Sequence, residues 1–216
     1  MKLYRSGNWD SLGPKQRAQL LRYEALLLRH AEPLGLLGPA EKDRIHDRHV
    51  LDSLRALPCI DASARLVMDM GSGAGLPGIP VAVGLPDLGV TLVERKRRRA
   101  AFLEMVVQEL ELGNVEVVHG SVSDLRSRDD RPDVCLARAF RSPIGAWETA
   151  SEVMRRGGVV LYYAGRSWDG AGSDLPLGVR ARVCVPATAP DQGPIVVLSN
   201  GSDPSEEPQD GIDSPT

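Results

Sequence analysis

No stretch of the 216-residue sequence is apolar for long enough to span a lipid bilayer. Residues 1–15 also lack the apolar core of a secretory signal peptide, so we expect no secretion signal. The three cysteines, Cys59, Cys135 and Cys184, are odd in number and widely spaced, which predicts neither a disulfide framework nor a Cys/His metal cluster. These absences predict a cytoplasmic protein in a reducing compartment, without a membrane or metal partner.

The sequence also lacks an overall excess of positive charge, because its formal net charge is -3. That balance excludes a basic footprint over the whole protein, but local basic patches still permit contact with nucleic acid. Residues 201–216, "GSDPSEEPQDGIDSPT", contribute acidic charge and almost no apolar side chains. They are predicted to form a disordered acidic tail.

Residues 1–62 are predicted to form an N-terminal helical segment. Pro14 suits a first helical turn, and residues 15–31 follow it with apolar side chains at helical spacing. After the glycines near residue 35, residues 40–57 predict a second helix whose buried stripe holds Ile45, His49, Leu51 and Leu54.

Residues 63–200 alternate between strand and helix patterns. Five strand–helix units are followed by two strand patterns, residues 179–187 and 193–200, with no helix-sized segment between them. This order predicts an α/β fold, a largely parallel sheet covered on both faces with a C-terminal antiparallel hairpin. A ligand is then expected beyond the carboxyl ends of the strands, at the point where the strand order reverses.

The segment "DMGSGAGLPG", residues 69–78, follows the first strand and fits two glycine spacings. Gly71-x-Gly73-x-Gly75 resembles the S-adenosylmethionine loop of methyltransferases, whereas Gly73-x-Gly75-x-x-Gly78 matches the dinucleotide fingerprint. The dinucleotide spacing would extend a buried strand through Gly71, which is a poor strand interior. We therefore favour S-adenosylmethionine, with Asp69 at the strand mouth ordering the amino end of the ligand and Gly78 as a helix residue.

Two further features bear on the choice of cofactor. Glu94 ends the second strand, where a carboxylate can accept hydrogen bonds from both ribose hydroxyls of a nucleoside ligand. The sequence contains no lysine after Lys96, so neither Tyr162 nor Tyr163 can form the Tyr-x-x-x-Lys pair of short-chain reductases. A methyltransferase is favoured over a reductase.

The fourth strand lacks residues that two classes of methyltransferase need, which excludes two kinds of methyl acceptor. Cys135 lies inside this strand and is predicted to be a buried structural thiol, unlike the thiolate of cytosine-C5 enzymes. The strand ends in "ARAF" and has no Asn/Asp-Pro-Pro-aromatic loop of the kind that acts on exocyclic adenine nitrogen. A ring nitrogen such as guanine N7 carries no proton and needs positioning without a general base, so it is compatible with this site.

Four segments together resemble the GidB family of bacterial guanine-N7 methyltransferases of small-subunit ribosomal RNA. They are "LLGPAEKDRIHDRHVLDSL", "DMGSGAGLPGIPVAV", "TLVERKRRRAAFLEMVVQELELGNVEVVHG" and "ARAF", in the order of the family. The resemblance covers roughly residues 20–165 and implies a Rossmann-like class I methyltransferase sheet. It also implies S-adenosylmethionine as cofactor and 16S ribosomal RNA or the small ribosomal subunit as partner, with the chain acting as a monomer.

The resemblance implies cofactor contacts at Gly71 and Leu76, at the pair Val122 and Ser123, and at Arg138. Family members usually carry an acid where this chain has Ser123, and the adjacent Asp124 is a candidate substitute. Taken with the loop, the predicted cofactor site consists of Asp69, Gly71, Ser72, Gly73, Gly75, Leu76, Glu94, Val122, Ser123 and Arg138. Arg138 is also the predicted catalytic residue, because a guanidinium at a strand mouth can face a base or a phosphate.

The predicted RNA contacts surround this site. They are the basic run Arg95, Lys96, Arg97 and Arg98, whose charges oppose the helix macrodipole, together with Phe140 as a stacking face and Arg166. The family typically has a lysine at the end of the fifth strand, where this chain has Ala164, and Arg166 is a candidate replacement. The substitution leaves two alternatives open, a related methyltransferase with another substrate and a non-catalytic homologue that binds cofactor or RNA.

His46 and His49 lie three residues apart, with Asp47 and Asp52 nearby. This group is compatible with a metal site. We favour a structural role instead, in which these side chains buttress the glycine loop.

Overall fold

The computed structural model of the chain describes residues 9–30, 32–168, 175–189 and 192–201. The predicted acidic tail therefore lies, apart from its first residue, outside the described residues. None of the described helices combines the length and apolarity that a bilayer span requires.

The described residues form a Rossmann-like α/β fold with the N-terminal helices that the sequence predicts. Its strands are β1 Leu66–Met70, β2 Gly89–Glu94, β3 Val115–His119, β4 Val134–Arg138, β5 Val159–Tyr163, β6 Val179–Val185 and β7 Ile195–Asn200. Its α-helices within this part of the chain are α1 Pro14–His30, the single turn α2 Asp52–Leu54, α3 Gly78–Gly84, α4 Arg97–Glu109 and α5 Pro143–Ser151.

The strands form one sheet in the order β3-β2-β1-β4-β5-β7-β6. The first five strands pair in parallel, while β7 runs antiparallel to both β5 and β6. The predicted C-terminal hairpin is confirmed. The order reverses between β1 and β4, and sheets of this kind bind ligands at that point, beyond the carboxyl ends of the strands.

The second predicted helix, residues 40–57, is not one regular helix. A 3₁₀ turn over Pro39–Arg44 leads into a π-helix over Ile45–Leu51, which ends in α2. Because a π-turn holds more residues than an α-turn, the predicted stripe shifts: Val50 is fully buried and Leu51 only half-buried.

The expectation of five strand–helix units is also corrected. The connection from β3 to β4 contains only the 3₁₀ helix Val122–Leu125, and no α-helix is found among the described residues that follow β5. The 3₁₀ helix is held by a capping box in which the Ser121 and Asp124 side chains each bond the other's backbone. A short, capped turn keeps Val122 at the carboxyl edge of the sheet.

Two apolar clusters cover the two faces of the sheet. The larger cluster joins Tyr23 and Leu27 of α1 to α3, α4 and the sheet, and the smaller one packs Trp147 and Met154 beside α5 against the opposite face. The N-terminal helical segment therefore shares a core with the sheet, which places its side chains beside the strand ends.

The expectation of no disulfide is wrong. Cys59 and Cys184 form a disulfide with 6.1 Å between their Cα atoms, while Cys135 is free and buried. No local pattern indicates this pairing, because the two cysteines are 125 residues apart and meet only when β6 folds back beside the N-terminal segment. The cysteine pattern consequently no longer argues for a reducing compartment.

Candidate functional site

The three glycines of the predicted loop all adopt the left-handed backbone conformation. The φ angles are 73° at Gly71, 58° at Gly73 and 94° at Gly75, whereas Gly78 has an ordinary helical backbone as the first residue of α3. L side chains rarely adopt such angles, so these three positions need glycine. The Gly-x-Gly-x-Gly spacing is thus the one that shapes the turn, and Gly71 lies outside the strand.

The four glycines of the segment face different surroundings. A Cβ atom at Gly73 would lie 3.8 Å from the carbonyl oxygen of Gly71 and 3.9 Å from Nη1 of Arg99, so there is room beside Gly73 without a clash. At Gly75 a Cβ would lie 2.7 Å from Ile79 Cγ1, and at Gly78 it would lie 2.3 Å from Leu92 Cδ2. Gly73 is therefore the loop glycine that a ligand can approach closely, while Gly75 and Gly78 allow close packing of the loop against the core.

Hydrogen bonds from neighbouring elements hold the loop in place. The amide of Ser72 donates to the carbonyl of Val93 in β2 over 2.9 Å, and the Ser72 hydroxyl donates to the carbonyl of Asp69 over 3.0 Å. Tyr23, which is fully buried in α1, donates from its hydroxyl to the carbonyl of Ala74 over 2.7 Å. The loop is thus fixed from two sides before any ligand arrives.

Asp69 does not lie at an open strand mouth, which corrects its predicted placement. It lies within β1, its exposed fraction is 1%, and its Oδ2 accepts a hydrogen bond of 3.0 Å from the amide of Gly78. Burial raises the pKa of the Asp69 carboxyl to about 7, an effect that the bond from Gly78 partly opposes. The carboxyl group acts on the first turn of α3, beneath the loop.

Glu94 joins the glycine loop to the start of α4. Its Oε2 accepts from the amide of Gly73 over 2.9 Å, and its Oε1 accepts from the amide of Lys96 over 2.7 Å. The side chain is buried at the end of β2, as its predicted position at a strand end requires. Each carboxylate oxygen can accept a second hydrogen bond, so the ribose contact of Glu94 stays a prediction that its acceptor capacity allows.

The remaining predicted cofactor residues lie at the same edge of the sheet. Leu76 is nearly buried in the loop, and Val122 is buried in the 3₁₀ helix that follows β3. The Ser123 hydroxyl is 2.6 Å from that of Ser121. Asp124 Oδ2 accepts a hydrogen bond of 2.7 Å from the amide of Ser121, so this carboxylate caps the turn, and its role in place of a family acid at position 123 stays a prediction.

Arg138 ends β4 as predicted, but its side chain points to the N-terminal helical segment. One terminal nitrogen donates to the Ser53 hydroxyl over 3.2 Å, and the other donates to the carbonyl of Arg48 and to Nδ1 of His49, both over 3.1 Å. The guanidinium also stacks 5.8 Å from the ring centre of Tyr163. The predicted placement at a strand mouth is confirmed, and its function there stays a prediction.

Phe140 lies across the entrance to the loop. Its Cδ2 atom would be 2.9 Å from a Cβ at Gly71, and the ring is half-buried. The intervening Ala139 has a φ of 50°, an unusual conformation for a residue with a Cβ. Cδ2 and Cε2 of the phenyl ring lie beside Gly71, and the Arg141 guanidinium lies 5.6 Å from the ring centre.

The predicted RNA-binding cations are exposed, and all follow strands at the carboxyl edge of the sheet. Within the described residues, no carboxylate pairs with any of them or with Arg141; the set is Arg95, Lys96, Arg97, Arg98, Arg141 and Arg166. Towards the opposite edge, Arg126 pairs with Glu152 and Arg155 with Asp133. The six cations without a carboxylate partner at the carboxyl edge place positive charge around the loop.

Ala164, where the family has a lysine, is buried at the end of β5 with an exposed fraction of 8%. Its amide donates to the carbonyl of Pro194, and Gly193 lies so close that a Cβ there would be 2.0 Å from the Ala164 carbonyl. Arg166 is exposed two residues later. The structure brings Arg166 to the same edge of the sheet without placing it at the position of the family lysine.

The two histidines do not buttress the glycine loop, which corrects that expectation. His46 bonds Glu24 over 2.7 Å on the surface, and His49 contacts Arg138 at the end of β4. Within the described residues, no group of three or more His, Cys, Asp and Glu side chains is arranged to hold a metal ion.

Cys135 is fully buried, as predicted, and burial raises the pKa of its thiol to about 12. Sequence reasoning missed Tyr23 and Tyr163, which bond Ala74 and the carbonyl of Ser53. Both were hidden in apolar patterns, and only their three-dimensional partners reveal them.

Comparisons with known proteins give a consistent family. GidB, described as rRNA small subunit methyltransferase G, matches residues 16–170. A protein of Mycobacterium leprae (strain TN) named ribosomal RNA small subunit methyltransferase G is 42% identical over 146 residues, which cover 67% of this chain and 59% of the relative. A protein of the same name from Burkholderia pseudomallei (strain 1106a) is 34% identical over 185 residues, covering 83% and 80%. The match thus spans about three fifths of the length of the mycobacterial relative.

Solved structures with low sequence identity share the fold. A mutant of MtNAS in complex with S-adenosylmethionine superposes with a TM-score of 0.56 at 16% identity, covering 86% of this chain and 76% of the other. A methyltransferase from Geobacter sulfurreducens gives a TM-score of 0.55 at 12% identity, with coverages of 88% and 94%. The sheet order, the loop of left-handed glycines and the match over residues 16–170 lead to one conclusion: the chain belongs to the GidB family.

Proposed function

We propose that the chain transfers a methyl group from S-adenosylmethionine to N7 of a guanine in 16S ribosomal RNA, on the free RNA or the small subunit. The observation that carries this proposal is the loop in which Gly71, Gly73 and Gly75 are all left-handed, at the switch point of a sheet in a GidB-family chain. We further propose that it acts as a monomer in the cytoplasm, without a metal.

The residues present suit this cofactor. The open space beside Gly73 admits close approach of a ligand to the backbone, and Glu94 lies next to it with spare acceptor capacity for ribose hydroxyls. We assign the walls of the site to Leu76, Val122 and Ser123. With Asp69 and Ser72 supporting the loop from beneath, the site is already organised for binding.

When bound, S-adenosylmethionine supplies a sulfonium methyl group, which the N7 lone pair of guanine accepts as the carbon–sulfur bond breaks. No proton leaves N7, so the chain has to orient the two reactants and needs no general base. The site agrees with that requirement, since Asp69 is buried and bonded to Gly78 and the Glu94 carboxylate bonds the amides of Gly73 and Lys96.

The proposed RNA-binding surface consists of Arg95, Lys96, Arg97 and Arg98 on one side of the loop and Arg141 and Arg166 on the other. Cations without carboxylate partners attract phosphates, and they release counterions when RNA binds. Phe140 lies between the two groups with its ring beside Gly71. We assign to it the stacking of the target base, as aromatic rings do for unpaired bases.

The decisive experiment maps N7-methylguanine in small-subunit RNA. A strain that lacks the chain is complemented with the wild type or with the Gly73→Ala variant, and RNA is analysed by mass spectrometry. We expect one methylated guanine to return with the wild type alone. Binding of S-adenosylmethionine by calorimetry without any return of methylation would refute the RNA substrate.

A second candidate function follows from Ala164, which is buried where the family has a lysine. In this alternative the protein binds the cofactor and RNA but methylates slowly. An Ala164→Lys variant separates the two. A rise in methylation rate would show that the missing ammonium limits the wild type. An unchanged or lower rate would show that the wild-type site is complete without it.

A further inference from the structure

The contacts of Arg138 reveal how the N-terminal segment shapes the site. Both terminal nitrogens of the guanidinium bond to residues 48–53, through the carbonyls of Arg48 and His49, the His49 ring and the Ser53 hydroxyl. The guanidinium has five N–H groups, and four of them belong to these two nitrogens. The fifth, on Nε, meets no bonded acceptor among the described residues.

The contact between Arg138 and His49 fixes the state of the histidine ring. A guanidinium has donors only, so Nδ1 of His49 must accept from it with its lone pair. The ring proton therefore resides on Nε2, which lies 2.9 Å from Oε2 of Glu41 and donates to it. Glu41, His49 and Arg138 thus form a directed chain of hydrogen bonds.

We propose that His49 is a positioning residue: its neutral ring, oriented by Glu41, holds the Arg138 guanidinium so that only Nε remains available to a bound ligand. The proposal rests on the proposed function for the identity of that ligand, the cofactor. Its structural core, the tautomer and the restraint on Arg138, does not depend on methyl transfer.

Protonation of His49 would break this arrangement. A proton on Nδ1 would face the guanidinium and remove its acceptor, so both like charge and the broken hydrogen bond would release Arg138. Burial and the charge of Arg138 lower the pKa of His49, while the bond to Glu41 raises it. Since the net direction is downward, the ring is neutral near neutral pH, as the contact requires.

Other charged groups surround the ring and have to be distinguished from it. Arg48 pairs with Glu41 on the same side, Asp52 lies 3.6 Å from Arg138, and Tyr163 lies beneath the guanidinium with a pKa raised by burial. Asp69 is buried in β1, and its carboxyl has a pKa of about 7. The protonation state of His49 therefore has to be measured on its own imidazole nitrogens.

Nitrogen-15 NMR of the imidazole provides that reading in the chain without any ligand. We expect the His49 signals to show a proton on Nε2 and a bare, hydrogen-bonded Nδ1 at neutral pH. We also expect a change in the tautomer signals and in the Arg138 Nε–H resonance in the same acidic step. A proton on Nδ1 at neutral pH would overturn the proposal, whatever the chain does to RNA.

Two substitutions separate positioning from simple packing. His49→Asn places an acceptor near the Nδ1 position and keeps the bond from Arg138, whereas His49→Gln places its amide near Nε2 and keeps only the bond to Glu41. We expect His49→Asn to bind S-adenosylmethionine nearly as the wild type. We expect His49→Gln to bind about 10- to 100-fold more weakly, the range for removal of one hydrogen bond to a charged group.

His46→Asn, three residues earlier on the surface, is the matched control and should change neither the affinity nor the NMR signals. Far-ultraviolet circular dichroism and thermal unfolding verify that each variant folds. Equal affinities for the Asn and Gln variants would overturn the positioning role. If the wild type binds no S-adenosylmethionine while the NMR results hold, the proposed function fails and the His49–Arg138 restraint stands.

Discussion

The Tyr23 hydroxyl donates a 2.7 Å hydrogen bond to the carbonyl of Ala74, across 51 residues of sequence. It links α1 to the glycine loop, in a place where burial raises the pKa of the phenol well above its usual range and excludes water. The geometry of the loop consequently depends on a helix that contributes nothing else to the crevice.

Replacing Tyr23 with Phe should lower the free energy of unfolding by about 1–3 kcal/mol, because a buried carbonyl would lose its donor. The affinity for S-adenosylmethionine should fall as well, since the loop loses the hydrogen bond that ties it to α1. Urea unfolding and calorimetric titration test the two effects. Unchanged values for both would show that the bond does not constrain the loop.

Replacing Gly73 with Ala should abolish tight cofactor binding while leaving the fold intact. The left-handed backbone costs an alanine about 1–2 kcal/mol, and the new Cβ would fill the open space beside the loop. Gly157→Ala is the matched control, since Gly157 has a φ of 79° and a Cβ there would meet no atom within 4 Å, away from the site. We expect the two variants to have similar stability, and only Gly73→Ala to lose cofactor binding. A normal affinity of Gly73→Ala for S-adenosylmethionine would contradict the role of the glycine loop in binding the cofactor.

Replacing Asp69 with Asn should alter how stability depends on pH. The folded chain keeps the Asp69 proton up to about pH 7, whereas the ordinary value of 3.8 applies when it is unfolded. The folded state then binds more protons between these values, so the free energy of unfolding falls as pH rises from about 4 to 7. In Asp69→Asn this fall should flatten.

Denaturant unfolding at a series of pH values tests the Asp69 prediction, with the exposed Asp87→Asn as control. His49 acts in the opposite direction, because its lowered pKa makes stability rise with pH. The comparison is therefore repeated in a His49→Asn background. A pH dependence that is identical with and without Asp69 would contradict the raised pKa.

Removing Arg97 and Arg98 together, as alanines, should weaken RNA binding mainly at low salt. For each phosphate that the surface no longer neutralises, the slope of log affinity against log salt should fall by about 0.7–0.9. Arg126→Ala with Arg128→Ala is the control, because both side chains are already paired with carboxylates. An equal reduction of RNA affinity in both double variants would show that RNA does not bind preferentially at Arg97 and Arg98.

Replacing Cys59 and Cys184 with alanine should lower the free energy of unfolding by about 2–4 kcal/mol, because the crosslink limits the unfolded chain. Unfolding with and without a thiol reductant provides the measurement. The wild type should lose stability on reduction, and the double variant should not respond. A wild type insensitive to reductant would show that the bond contributes nothing to stability.

Much of the fold followed from local patterns. The second strand ends at Glu94 as predicted, and the three glycines of the predicted Gly-x-Gly-x-Gly spacing are the ones with left-handed φ angles. Both features are local, since a buried strand and a sharp turn each impose their own residue types. The prediction of one regular helix failed at the π-helix Ile45–Leu51, because the apolar spacing of the segment does not distinguish a π-helix from an α-helix.

The site was predictable only in part. Asp69 and Glu94 were recognised as acids near strand ends, yet burial of Asp69 and the bond from Gly73 to Glu94 depend on neighbouring elements. Arg138 was placed correctly on β4, while its partners come from residues 85–90 positions earlier. Side-chain direction at a strand end is determined by what packs against it, and one sequence does not contain that information locally.

The segment that holds Arg138 is itself held by the last two strands. Arg55 donates to the carbonyls of Pro186 and Gly193 over 2.8 and 3.0 Å, next to the bond between Cys59 and Cys184. During synthesis on the ribosome, every loop glycine emerges more than 100 residues before these anchors. A chain stopped ahead of β6 would thus contain the complete cofactor loop but have no fixed wall opposite it. The C-terminal hairpin, which contributes no predicted site residue, determines when the site becomes complete.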